Sequence, residues 1–179
     1  MKVRNAILLA LSLLAPLLAA TPAHAEKLLF DHRLNPALNA VLDNGRQDMT
    51  FFDGSNPRYM VDRIAVQGRS ARDWVEALEV IVRVPDKTVR SAADWLQQIR
   101  ERTSAACAAE FTPLAQDESS LTFMRRTRAC DGSPAETGLY RIVTGSKSLF
   151  LLAAGYKGAM DEPMRQRWLA LLASARLEN

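Results

Sequence analysis

A chain of 179 residues with 48% hydrophobic and 24% charged residues has the size and composition of one folded domain, which excludes a disordered or fibrous polymer. Its formal charge is +3, and Lys2 and Arg4 supply two of those charges, so the rest of the chain is close to neutral. That balance lacks the basic surplus of a nucleic-acid binder, and two cysteines with two histidines leave little material for a metal site.

The chain opens with Lys2 and Arg4, an apolar run from Ala6 to Ala20, and Ala23-His24-Ala25 before Glu26. A basic start, a hydrophobic middle and small residues at the recognition positions predict a secretory signal peptide over 1–25, cleaved after Ala25. The apolar run falls short of the twenty or so residues that cross a bilayer as a helix, so the reading is a periplasmic or secreted domain over 26–179 with no membrane span after cleavage.

In the body, Asn35-Pro36 can start a short helix and Asn44-Gly45 can stop it. Met49 to Phe52 and Tyr59 to Val66 read as a hairpin around Asp53-Gly54-Ser55-Asn56-Pro57. Trp74 to Val84 is rich in β-branched residues and apolar on both faces, which predicts a central strand. Simple alternation places Trp74, Glu76, Leu78, Val80 and Val82 on one face, and Ala77, Glu79, Ile81 and Arg83 on the other.

From Thr88 to Glu110 the period becomes helical, with Val89, Ala92, Trp95, Leu96, Ile99 and Thr103 on one stripe. Phe111 to Gln116, Leu121 to Cys130, Gly138 to Thr144 and Ser148 to Tyr156 then read as strands joined by short turns, an antiparallel meander. A last amphipathic helix starts at Asp161 and buries Met164, Trp168, Leu171, Leu172 and Ala175. The predicted fold class is α+β: an antiparallel sheet of about six strands packed by two main amphipathic helices, at about 88–109 and 161–176.

Cys107 ends the long helix and Cys130 ends a later strand; outside the cytoplasm the pair is expected to form a disulfide, a staple rather than a redox centre. No catalytic motif stands above background. His32 is the only histidine past the leader. Gly145-Ser146-Lys147-Ser148 carries the end of a phosphate-loop pattern, but the upstream glycine is misplaced and a strand follows instead of a helix, so it reads as a hairpin turn. Glu76, Glu79 and Arg83 in an apolar strand call for ion-pair partners. Arg125, Arg126 and Arg128, with Arg141 on the next strand, form the clearest positive cluster and are candidates for contact with an anionic ligand or partner. Trp74, Trp95 and Trp168 read as packing residues.

The segment Asp73-Trp74-Val75-Glu76-Ala77-Leu78 leading into a strand, followed by a helix ending at Cys107, strands carrying Cys130 and a terminal helix, resembles uncharacterised small exported proteins of proteobacteria. The element order also resembles the Mog1/PsbP-like α/β sandwich. The resemblance implies an accessory or binding role and carries over no functional residue. The resulting expectation is a non-catalytic binding or interaction domain without cofactors, its partner an envelope protein or an anionic ligand and not nucleic acid. Two other readings stand beside it: a hydrolase with an unfamiliar site using Glu76 or Ser146 and Lys147, and a periplasmic immunity protein against a secreted toxin.

Overall fold

The computed structural model describes residues 26–178, and the predicted leader lies outside them. In chain order the elements are β1 (Lys27–Leu29), α1 (Pro36–Asp43), β2 (Thr50–Asp53), β3 (Tyr59–Gly68), β4 (Trp74–Arg83), α2 (Ala92–Ala106), β5 (Ala109–Gln116), β6 (Ser120–Thr127), β7 (Glu136–Thr144), β8 (Leu149–Tyr156), α3 (Glu162–Ala173) and β9 (Arg176–Glu178). Single 3-10 turns lie at His32–Leu34 and Gln47–Met49.

Seven strands make one antiparallel sheet in the order β2-β3-β4-β8-β7-β6-β5. The chain leaves β4, crosses through α2 to the far edge, and returns by hairpins until β8 pairs with β4. The hairpin over Asp53 to Asn56, the central placement of β4 and the meander of β5 to β8 all follow the turn chemistry. The architecture is α+β, with one strand more in the sheet than the sequence predicts and α1 as a third helix. A two-stranded ribbon of β1 and β9 is also present. Its strands are three residues each and form only because the two ends of the domain meet, so no local pattern announces them.

The long helix is shorter than its apolar period suggests. Ser91 Oγ accepts from the Asp94 backbone N–H at 3.1 Å, and the Asp94 carboxylate accepts from the Ser91 N–H at 3.1 Å, a capping box that starts α2 at Ala92 instead of Thr88. Val89 is fully buried, but in the preceding loop, where Asp86 accepts from its N–H at 2.9 Å. At the other end the chain turns straight into β5 after Cys107 and Ala108. The last helix stops at Ala173 rather than 176, where Ser174 Oγ donates to the Leu171 carbonyl at 2.6 Å. The short helix α1 forms as its sequence asks: Asn35 caps it, accepting from the Leu38 N–H at 3.3 Å, and Asn44 closes it.

The sheet buries both of its faces, but unequally. On one side Trp168, Leu171 and Leu172 of α3 and Leu38 of α1 pack on Leu78, Leu139, Leu152 and Ala154. On the other, Trp95 of α2 packs with Phe123, Tyr140, Ile142, Leu149 and Leu151, and the rings of Phe123 and Tyr140 stack at 4.8 Å between centroids. Alternation along β8 sends Leu149, Leu151 and Ala153 to the α2 side and Phe150, Leu152 and Ala154 to the α3 side, which is why this strand has no polar face.

Simple alternation fails at one place. Pairing of β3 with β4 runs from Ala65 opposite Ala77, to Gln67 opposite Glu76, to Gly68 opposite Trp74, so one extra residue enters each strand in turn. The bulge at Val75 carries Trp74 to the α2 side of the sheet, away from Glu76 and Leu78. Gly68 makes the turn possible, with φ of +129°, and a side chain there would meet the Asp73 carbonyl at 2.5 Å.

Candidate functional site

The α2 side of the sheet carries a cleft of about 280 Å³ that the helix does not fill. Its floor comes from small residues in register. Ala77 of β4 lies opposite Gly155 of β8, which lies opposite Gly138 of β7, and Ala153 lies opposite Glu79. With almost nothing standing up from three adjacent strands, larger neighbours make the walls: Trp74 and Tyr59 at one end, Tyr140 at the other, and Trp95, Gln98 and Arg102 from α2. The floor must stay small. A Cβ on Gly155 would come within 3.0 Å of the Trp74 ring, and one on Gly138 within 2.5 Å of the Tyr140 hydroxyl.

Charges of both signs line this cleft, and most are matched. Arg63 lies opposite Glu79 across β3 and β4 and donates to it at 2.8 Å; a second nitrogen of Arg63 reaches the Ala71 carbonyl at 3.3 Å. Arg125 donates to Glu136, and its guanidinium lies 5.1 Å from the centroid of the Tyr140 ring. Arg102 has no acidic partner among the described residues. Burial raises the Tyr140 phenol well above its ordinary value, the nearby Arg125 cation only partly offsetting it, so the group stays a neutral donor. Tyr59 is raised in the same direction by burial and by the Glu79 carboxylate.

The tryptophans divide. Trp95 and Trp168 are buried as their helix stripes predict, whereas Trp74 is a half-buried rim residue of the cleft, with the Lys157 ammonium 5.0 Å from its ring. The reason is the bulge at Val75, which no periodicity argument registers.

Glu79 and Arg83 share a face but do not pair with each other. Glu79 holds Arg63, while Arg83 donates to Asp86 at 2.8 Å and Gln98 at 2.7 Å. Glu76 is on the opposite side, 3% exposed beneath α3, where it accepts from the Trp168 indole N–H at 2.8 Å. Burial raises its carboxyl pKa above the ordinary range, and the Trp168 bond opposes that only in part.

The four arginines singled out from sequence do not form one patch. Arg125 points to the α2 side and lines the cleft; Arg126 and Arg141 lie on the α3 side of neighbouring strands, at positions opposite Thr137 and Thr122, and Arg128 lies past the end of β6. Arg126 and Arg128, both exposed, border a hollow of about 640 Å³ at the disulfide end, together with Glu110, Glu136 and Met160. Of the two acids there, Glu136 is already engaged by Arg125, and neither Arg126 nor Arg128 forms an ion pair among the described residues. The disulfide itself joins Cys107, at the α2 C-terminus, to Cys130 in the loop between β6 and β7, with Cα atoms 6.0 Å apart.

The Gly145 turn holds an anion after all, one supplied by the chain itself. The Glu26 carboxylate accepts from the backbone N–H groups of Ser146, Lys147 at 3.0 Å and Ser148 at 2.9 Å. Consecutive amides facing one concavity form an anion nest, and Glu26 fills it. Burial alone would raise the Glu26 carboxyl, but the hydrogen bonds from this loop outweigh it and leave the pKa lowered. The loop has a local sequence signal, whereas its partner lies 120 residues away and has none. His32 lies on the 3-10 turn, and among the described residues no group of three or more His, Cys, Asp or Glu side chains is arranged to hold a metal ion. No helix among them is long and apolar enough to cross a membrane.

Compared with models of known protein families and with curated proteins, the chain matches none.

Proposed function

We propose that this is a periplasmic or secreted binding domain whose contact site is the cleft between α2 and the sheet. The observation that carries the reading is the construction of that cleft: a floor of Ala77, Ala153 and Gly155 kept small across adjacent strands, walled by Trp74, Tyr59 and Tyr140. Sheet faces under a helix are normally filled by interlocking side chains, and the concavity left between these rings and α2 supports a binding role. The charges in it favour holding over chemistry. Glu79 and Glu136 are both engaged by arginines as ion-pair acceptors.

Export supports the same reading through the Cys107–Cys130 disulfide, which persists in oxidising compartments. Cleavage after Ala25 would leave Glu26 at the start of the domain, seated in the 146–148 nest. A Mog1/PsbP-like relationship fits a sheet with helices on both faces and belongs to the proposal.

Capture from the native envelope fraction tests the function. The tagged full chain is expected to retain one reproducible partner or small molecule, detected by native mass spectrometry, and Trp74→Ala with Arg102→Glu should lose it while keeping the parental circular dichroism. Retention by the double variant would overturn the assignment of the cleft.

A further inference from the structure

We propose that the cleft takes a small aryl carboxylate, its ring lying over Ala77 and Ala153 against the Trp74 ring and its carboxylate held by Arg102. The inference rests on the reading of this cleft as the binding site and adds the chemistry of the ligand.

Charge sets the sign. Three arginines and two glutamates line the cleft; Glu79 is taken by Arg63 and Glu136 by Arg125, which leaves the Arg102 guanidinium as the surplus. One free guanidinium matches one carboxylate, since its two parallel N–H groups fit the two oxygens of that group.

Hydrogen-bonding capacity points the same way. Tyr140 is 7% exposed, its hydroxyl lies over Gly138 next to the floor, and that hydroxyl donates to nothing among the described residues. A hydroxyl without a partner can donate to an acceptor on a ligand, and burial of the ring keeps Tyr140 protonated.

Shape sets the body. Ala77, Gly155 and Gly138 stand in one row across three strands; the Trp74 ring lies over Gly155 and the Tyr140 ring over Gly138, so the small residues left uncovered are Ala77 and Ala153, next to an indole. A volume of about 280 Å³ is at the low end for ligand pockets, suited to a single ring and too small for a dinucleotide or a long chain.

Benzoate and its neutral isostere benzamide are the probes, titrated into the full chain by calorimetry with amide shifts of Gly138 and Gly155 followed by NMR. Benzoate is expected to bind with both glycine signals moving, benzamide at least about tenfold more weakly, and Arg102→Gln to weaken benzoate by about tenfold or more while leaving benzamide unchanged. Tyr140→Phe should weaken benzoate by a smaller factor. Equal binding of the two probes, or full benzoate affinity in Arg102→Gln, would overturn the carboxylate assignment while keeping the cleft as a binding site. If neither probe binds but the glycine signals move with an envelope extract, the ligand class is wrong and the binding reading survives; if neither probe nor extract moves them, both fall.

Discussion

The two faces of the sheet are built from the same strands and yet behave as opposites. On the α3 side, Trp168, Leu171, Leu172 and Leu38 cover the middle of the sheet, and the buried carboxylate there, Glu76, is given an indole donor. On the α2 side a single helix covers part of the surface, and the uncovered part is lined by rings, paired charges and small residues. Sealing maximises apolar burial; leaving a gap gives up some of that burial and keeps a concavity. A protein that kept its stability on one face and its recognition on the other should show those roles separately when each face is altered.

The largest difference should come from the sealed face. Trp168→Ala removes the biggest fully buried side chain and strips Glu76 of its donor, and urea unfolding should register a loss of about 3–5 kcal/mol. A loss below about 1 kcal/mol would mean that α3 does not seal the core as described. Next is the disulfide, which serves both faces by tying the end of α2 to the β6–β7 loop. Replacing Cys107 and Cys130 by alanine closes no loop across a separation of 23 residues and should cost roughly 3 kcal/mol, read from denaturant midpoints with and without reductant. An unchanged midpoint would contradict the staple.

Glu76 sharpens the comparison through pH. Its carboxyl pKa is raised in the folded protein, so the folded state holds that proton more tightly than the unfolded chain does. The stability tied to it is complete below the unfolded carboxyl value and is lost as pH rises through the folded value. Glu76→Gln keeps an acceptor for Trp168 and cannot ionise, so its stability should vary less with rising pH and should exceed that of the parent at pH 8. The reverse ranking at pH 8 would show that the ionised carboxylate is favourable there. The smallest effect belongs to the open face: Arg102→Gln should leave the unfolding midpoint within about 0.5 kcal/mol of the parent, because the exposed guanidinium holds no partner among the described residues. A large loss would make Arg102 a structural residue and remove it from the ligand argument.

Much of the fold was legible because its signals are local. Asn35-Pro36 and Asn44-Gly45 bracket α1, Asp161-Glu162-Pro163 starts α3, and the turns at Asp53 and Gly145 set hairpins, all through interactions spanning a few residues. The start of α2 is placed too early by sequence because Val89 carries the apolar period although it lies in a loop; Ser91 and Asp94 decide the boundary instead. The cleft was not legible. Arg63 and Arg102 gave no motif, Trp74 reads as a packing residue until the Val75 bulge is known, and only register brings Gly155 between Ala77 and Gly138.

Taken alone, the amino-acid order determined which segments are strands and helices, where most turns fall, and which two sulfurs can meet, since hydrophobic period, capping and turn preference act over a few residues. The tertiary structure decided what those elements enclose: which arginine finds an acid, which is left over, which carboxylate occupies the 146–148 amides, and where the sheet stays uncovered. Such outcomes depend on strand register and on contacts between residues far apart in the chain, such as the Asp31 N–H donating to Ser174 Oγ at 2.9 Å across 143 positions, and pairings at that distance are chosen by packing of the whole domain rather than by any stretch of it.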